Sequence, residues 1–335
     1  MSKSALTRSR PFARIIRSYH SSSTSISTPN STRFGSYPLL DPSSAITSYP
    51  TSLPVPASIP RPNYVPENFF TKTWGEHDLP EVEDVEVDGE RIDLGGESEK
   101  RVRKVAKMAK QVLEEVGRLV MPGITTAELD RAAHEIIIAR GAYPSPLGYS
   151  SFPKSCTTSV NNVIAHGIPD DRPLHPQDII NIDLTLFHDG YHGDTSATFL
   201  LPEVDKPGRE LVEATKEALD VGIRACGPGK AYNEIGRTIE EFAKRYRFSV
   251  NSQFSGHGIG KRFHQPPWIF HTRNSENGTM MPGDCFTIEP CLVQGSNSRG
   301  QLWNDGWTMS TESGARSAQF EHQILITHNG AEILT

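Results

Sequence analysis

Cysteine is scarce in this chain. Four occur among 335 residues, at Cys156, Cys226, Cys285 and Cys291, and no two form a CxxC pair. A disulfide framework and a zinc knuckle are thereby excluded, and the four read as free thiols in a reducing compartment. Long apolar runs are missing too. No stretch approaches the roughly 18 residues that a membrane-spanning helix needs. A basic excess is also lacking: net charge is −6, which leaves no electrostatic footprint for a nucleic-acid partner. What remains, 36% hydrophobic and 22% charged, is typical of globular domains. The length suits one large domain with an extension, or two domains.

Acidic residues are absent before Asp41, whereas Lys3, Arg8, Arg10, Arg14, Arg17 and Arg33 are basic. ALTRSRPFARIIRSYHSSS is Arg-rich, Ser-rich and acid-free, as organelle transit peptides are. Residues 1–20 are therefore expected to be a mitochondrial transit peptide directing the chain to the matrix, with plastid or cytoplasmic locations as alternatives. Residues 21–96 are expected to be a disordered Ser/Thr/Pro-rich linker ending in an acidic strap, EVEDVEVDGERIDL. Packed structure is expected over 97–335.

KRVRKVAKMAKQVLEEVGRLV carries Val102, Val105, Met108, Val112, Val116 and Leu119 at helical spacing, and Pro122-Gly123 stops it. Thr125, with Glu128 three residues on, predicts a capping box for a second helix. The pattern recurs around Pro228-Gly229. Aligning the two Pro-Gly pairs matches Leu129 with Ile235, Ala133 with Ile239 and Ile136 with Phe242. Each unit is followed by strands, which predicts an α+β fold built from a duplicated half about a pseudo-two-fold. The antiparallel sheet is expected to be covered by two helix pairs, with a site where the halves meet.

The stretch NIDLTLFHDGYHGDTS alternates, with Ile180, Ile182, Leu184 and Leu186 on one face and Asn181, Asp183 and Thr185 on the other. Asp189-Gly190 is a two-residue hairpin signal. Folding about it places Asp194 opposite Thr185 and diagonal to Asp183; a turn one residue earlier would oppose the two carboxylates directly. Like charges there are destabilising. Glu289, in PGDCFTIEPCLV, and Glu321, in SAQFEHQILIT, occupy the polar faces of two further alternating segments, and His257 sits between glycines in FSGHGIGKRFHQPP. One glutamate on a strand is usually solvated. Four carboxylates with one imidazole instead balance the charge of two divalent cations, and the oxygen-rich set suits Mn²⁺, Fe²⁺ or Co²⁺. Metal ions between Asp183 and Asp194 would relieve their repulsion. Two such ions lower the pKa of a shared hydroxide and polarise a carbonyl.

At these residues the sequence becomes recognisable. YSSFPKSCTTSVNNVIAHGIP, INIDLTLFHDGYHGDTSATF, FSGHGIGKRFHQPP, MPGDCFTIEP and SAQFEHQILIT, in that order, resemble a type I methionine aminopeptidase of the peptidase M24 family. The resemblance runs from about Glu97 to Thr335. It implies the pita-bread (creatinase/aminopeptidase) fold and the metal ligands Asp183, Asp194, His257, Glu289 and Glu321, with Asp194 and Glu321 bridging two divalent ions (Mn, Fe, Co or Zn). A hydroxide between the ions would attack the scissile carbonyl. It further implies that His166 and His264 hydrogen-bond the substrate, and that Glu289 shuttles the proton from metal-bound water to the leaving amine. The methionine pocket would be lined by Tyr149, Phe152, Phe263 and Trp307, rings suited to a thioether. SPLGY near Pro146 resembles the organellar branch.

The implied activity removes the initiator methionine from nascent or organellar proteins when the second residue is small. Expected partners are N-terminal Met peptides, met near the ribosome by a monomer, with no nucleic acid and no membrane. One departure stands out. The family commonly has a cysteine after PKSV, whereas PKSCTT puts Cys156 one residue early and Thr157 in that place. The other histidines read as ordinary: His188 and His192 flank the turn, His322 points away from Glu321, and His175, His271 and His328 lie in loops or edges without a nameable partner. Two rival functions remain. Proline-specific pita-bread peptidases carry a structured N-terminal domain where this chain is low-complexity. A catalytically dead pita-bread binding module would have lost ligands, and none is missing here. The 32-residue spacing from His257 to Glu289 leaves little room for the helical insertion of the type II enzymes.

Overall fold

A computed structural model describes residues 30–44, 52–71 and 89–335. The expected leader, residues 1–20, and most of the acidic strap lie outside the described residues. Among these residues no helix is long and apolar enough to cross a membrane.

A short hairpin comes first, β1 (Asn30–Thr32) and β2 (Gly35–Tyr37). Helices α1 (Glu97–Gly117) and α2 (Thr126–Ala139) follow. Glu97 and Glu99 lie in the first turn of α1, where negative charge favours the helix dipole. Its buried face is Val102, Val105, Val112 and Val116, with Met108 and Leu119 only half-buried at the margin. Each valine so buried contributes roughly 1.5–3 kcal/mol. The capping box forms as the spacing predicts: Thr125 Oγ1 accepts from the Glu128 amide, and the Glu128 carboxylate accepts from the Thr125 amide at 2.8 Å.

Next come β3 (Tyr143–Pro144), β4 (Thr157–Val160), β5 (Val163–Ala165), and the long hairpin β6 (Ile179–His188) and β7 (Tyr191–Leu200). Asp189 and Gly190 take φ of 51° and 83°, as a two-residue turn between twisted strands requires. The register pairs Thr185 with Asp194 and Asp183 with Ser196, so the two aspartates are diagonal neighbours. Ile180, Ile182, Leu184 and Leu186 are all fully buried on the opposite face, against α1. The helix lies so close that a Cβ on Gly193 would come within 2.6 Å of the Val105 backbone.

The second unit repeats the scheme with α3 (Lys206–Arg224) and α4 (Asn233–Arg245). Of the matched pairs, Leu129, Ile235, Ala133 and Ile239 are fully buried, Phe242 nearly so, and Ile136 half-buried. Strands β8 (Phe248–Val250), β9 (Ser255–Gly258), β10 (Gln265–Phe270), β11 (Cys285–Ile288) and β12 (Cys291–Gln294) follow. The last are β13 (Gly300–Leu302), β14 (Met309–Thr311), β15 (Ser317–Gln319), β16 (His322–Ile326) and β17 (Ala331–Ile333). Their main sheet runs β10-β9-β11-β16-β17, antiparallel throughout. The alternating segment around Glu321 was expected as one strand. It breaks at Phe320–Glu321 into β15 and β16, which join different sheets, and Glu321 there pairs with Ser196 of β7.

Residues 30–44 and 52–71 differ from the expected linker: they are packed. Tyr37 and Phe69 are fully buried and Val65 nearly so. Backbone groups find partners on the main domain, with Leu40 N donating to Asn162 Oδ1 and Asn161 Nδ2 to Pro38 O. Phe34 O and the Tyr37 ring cover the buried guanidinium of Arg316, which also bonds Asp205, the N-cap of α3. A few large side chains and a buried charge thus anchor a segment whose average composition reads as disordered.

Candidate active site

A cavity of about 340 Å³ opens where β6 and β7 meet the second sheet. Asp183, Asp194, His257, Glu289 and Glu321 line it, as do His166, His264, Tyr149, Phe152, Phe263 and Trp307, so every residue expected at the site converges there. Asp183 comes from β6, Asp194 from β7 and His257 from β9, while Glu289 directly follows β11 and Glu321 lies in the break between β15 and β16.

His257 Nε2 faces Asp194 Oδ2 at 3.6 Å and Glu289 Oε1 at 3.7 Å. Ligand atoms of Asp194, His257 and Glu321 all lie within 4.8 Å of one another. His257 Nδ1 is 3.2 Å from Gly258 O, so donation there leaves Nε2 with a free lone pair aimed at the acids. Burial holds the imidazole neutral, down to about 4. Burial also pushes Asp183 up to about 7, and burial with mutual repulsion raises Asp194, Glu289 and Glu321 well above the carboxylate range. A buried acid cluster with one neutral imidazole is costly on its own, and hard or borderline divalent cations remove that cost. The donor set therefore fits divalent metal.

Hydrogen bonds aim these acids. Thr185 Oγ1 donates to Asp194 Oδ1 at 2.6 Å, and Thr287 Oγ1 to Glu289 Oε1 at 2.8 Å. Gln319 Nε2 reaches Glu289 Oε2 at 3.3 Å, and Gln323 Oε1 accepts from the Asp194 amide at 3.1 Å. Gln319 and Gln323 share the polar face of Glu321, so alternation alone could have flagged them. His271, taken for an edge residue without a partner, is buried behind Glu289 and accepts its amide at Nε2, 3.1 Å. No local pattern in the sequence signals that contact. His192, expected only as an ordinary residue flanking the turn, is buried against Ser145 and Phe263.

The other wall is aromatic. Phe152 and Trp307 meet edge to face at 5.1 Å, and Tyr149 packs on Phe263 at 5.0 Å. His264 lies between, its ring 4.1 Å from both His257 and Phe263. His166 stands beside Phe254 and Trp307, and desolvation holds its ring down to about 4. Phe254 and the half-exposed Trp268 join the lining without having been anticipated. Thr157 lines the cavity and pairs with Asp183 across β4 and β6, while Cys156 is buried beside Asp130, a small packed thiol.

The chain is similar to known proteins. Residues 100–328 match the model of metallopeptidase family M24. The chain is similar to methionine aminopeptidase 1D, mitochondrial, of Dictyostelium discoideum, at 48% identity over 84% of this chain and 67% of that protein. It is 54% identical to methionine aminopeptidase 1D, chloroplastic/mitochondrial, of Arabidopsis thaliana, over 68% of this chain and 65% of that one. It thus spans about two thirds of the length of these curated relatives. Among solved structures, methionine aminopeptidase from Rickettsia prowazekii superposes with a TM-score of 0.70 at 38% identity, over 73% of this chain and 99% of that one.

Proposed function

The chain belongs to metallopeptidase family M24, and on that premise we propose that it removes the N-terminal methionine from proteins whose second residue is small. It is a methionine aminopeptidase of the pita-bread fold, a hydrolase. The observation that supports this most is one cavity walled by acids on one side and by Tyr149, Phe152, Phe263 and Trp307 on the other. The proline-specific and non-catalytic readings are not favoured.

Asp183, Asp194, His257, Glu289 and Glu321 would hold two divalent ions, with Asp194 and Glu321 shared. When bound, such ions supply Lewis acidity and lower the pKa of water. The methionine side chain fills the aromatic wall, gaining roughly 1.5–3 kcal/mol from burial. His166 and His264, both kept neutral by desolvation, hydrogen-bond the substrate around the scissile amide. Glu289, with Oε1 fixed by Thr287, carries the proton toward the leaving amine. The second substrate residue sits where His166 and His264 crowd the bond, so a large side chain displaces the carbonyl, and small misplacements there are costly.

Steady-state kinetics on Met-Ala-Ser, norleucyl-Ala-Ser, Leu-Ala-Ser and Met-Lys-Ser test this. Norleucine keeps the chain length and should be cleaved, whereas Leu-Ala-Ser and Met-Lys-Ser should be poor. Equal kcat/KM for Leu-Ala-Ser and Met-Ala-Ser would mark a general aminopeptidase.

The two curated relatives carry mitochondrial or chloroplastic/mitochondrial in their names, and we read this chain as organellar too. We place it in the mitochondrial matrix, acting as a monomer on newly made N-termini, with residues 1–20 as leader and 97–335 as catalytic domain. A reporter fused to residues 1–20 should enter mitochondria and stay cytosolic once Arg8, Arg10, Arg14 and Arg17 become Gln. Plastid entry, or a cytosolic reporter with the intact leader, overturns the address.

A further inference from the structure

Tyr149 forms a wall of the cavity and stands in a tight turn closed by Gly148 N donating to Phe152 O and Phe152 N to Tyr149 O, each at 2.8 Å. Ser150 and Ser151, the next two residues, take φ of 44° and 65°. Such left-handed residues persist only where surrounding structure enforces them. Besides the turn's own backbone bonds, enforcing contacts come from residues 62–70, upstream of the catalytic domain. Tyr64 presents its ring to Tyr149 edge to face, with centroids 5.0 Å apart and planes at 88°. Its hydroxyl donates to Ser145 O at 2.7 Å. Ser145 Oγ meets His192 Nδ1 at 2.8 Å, and the His192 ring stacks on Phe263 at 5.3 Å and 11°. Phe263 in turn packs on Tyr149, so the set closes into a ring. Beside it, Val65 and Phe69 cluster with Tyr143 and Leu147. Val65 also lies so near the left-handed Gly148 that a Cβ there would sit 2.9 Å from its methyl.

Tyr64 does not line the cavity; it touches the outer face of the residues that do. We infer that Tyr64 is a positioning residue for substrate selectivity, fixing Tyr149 directly and Phe263 through His192, so that a segment outside the catalytic domain sets the shape of the side-chain pocket. This rests on the function proposed above. A branched side chain is excluded only while Tyr149 is held in place. Once the Tyr64 ring is lost, the loop relaxes outward and discrimination between methionine and leucine falls.

The test uses the full chain, metal-loaded, with kcat and KM measured on Met-Ala-Ser and Leu-Ala-Ser. Tyr64→Phe keeps the ring and should hold the Met/Leu ratio of kcat/KM within about twofold. Tyr64→Leu removes the ring and should lower that ratio about tenfold, the scale of one aromatic contact. The change should come mainly through a lowered KM for Leu-Ala-Ser, with kcat on Met-Ala-Ser and bound metal held. Should Tyr64→Leu fail to fold, Tyr64→His is read by the same ratio. A ratio within twofold of wild type in the variant lacking the tyrosine ring overturns the role of Tyr64. So does an equal loss of kcat on both peptides with KM intact, which marks general damage. A wild-type chain that does not distinguish Met-Ala-Ser from Leu-Ala-Ser overturns the proposed function, and this inference with it.

Discussion

The acid wall and the aromatic wall of the cavity draw their support from different places. Asp183, Asp194 and His257 stand on strands paired along their length, and Glu289 and Glu321 flank such strands. Thr185 and Gln323 bond Asp194, and Thr287 and Gln319 bond Glu289, fixing two of these acids from the sheets themselves. Tyr149, Phe263 and Trp307 stand on connections between strands, and part of their support comes from Tyr64, 85 residues before Tyr149 by chain number. The acid wall is rigid and electrostatically strained; the aromatic wall is relaxed in charge and strained in backbone. Rigid placement suits groups that must hold charge within tenths of an ångström. Adjustable loops suit a pocket that only has to measure a side chain.

That contrast is broken most severely at Asp194. Asp194→Asn removes a charge proposed to be shared by both ions, and kcat/KM should fall by well over about 100-fold, beyond the cost of losing an outer hydrogen-bond partner. The fold should survive, with the metal-free variant at least as stable as wild type because repulsion is relieved. Metal content and thermal melting check both halves; wild-type turnover under limiting metal would sink the assignment.

A smaller effect concerns stability against pH after chelation. Asp183 is held at about 7 against an ordinary 3.8, so the folded chain keeps protons that the unfolded chain releases. Stability from that cluster is complete below the ordinary value and is lost as pH rises through about 7. The buried histidines oppose this only at lower pH. His257 is held at about 4, and His192 and His271 at about 3, so their contribution fades as pH falls below 6.5. Between about pH 6.5 and 8 the acids alone act, and the melting temperature of chelated protein should drop. Asp194→Asn should flatten that slope. A flat or rising melting curve for chelated wild type would contradict the strain assigned to the acid wall.

The smallest effect belongs to the aromatic side. Thr157→Cys exchanges side chains of similar size at the cavity surface, and kcat/KM on Met-Ala-Ser should stay within about threefold. A larger change would show that this position does more than fill space.

How legible each wall was in the sequence follows from the same difference. Alternation and the Asp189-Gly190 turn narrowed the β6–β7 register to two, and the structure takes the one that sets Asp183 and Asp194 on a diagonal. Pattern also put Glu289 and Glu321 on polar faces, although the break at Phe320–Glu321 was not foreseen, because a strand changing sheets keeps its alternation. The aromatic wall has no period to read, and only family resemblance named its members. Residues 52–71 were misread because few side chains, Tyr64, Val65 and Phe69 among them, carry their docking while prolines and serines dominate the average. His271 escaped because a histidine accepting one backbone amide leaves no mark on spacing.

The cover over Arg316 carries a consequence for the order in which the molecule is completed. Phe34 O and the Arg316 guanidinium are separated by 282 residues, and the Tyr37 hydroxyl and its acceptor Gly314 O by 277. During synthesis the N-terminal partner emerges first and waits for nearly the whole chain. Closing so long a loop costs little more than closing a moderate one, since the entropy grows only with the logarithm of length. The delay is therefore one of availability. Until the connection holding Arg316 arrives, β1 and β2 have no guanidinium to cover, and that group, once made, stays wet until they reach it. Among the described elements the first made, β1 and β2, thus complete their contact with Arg316 only late in synthesis.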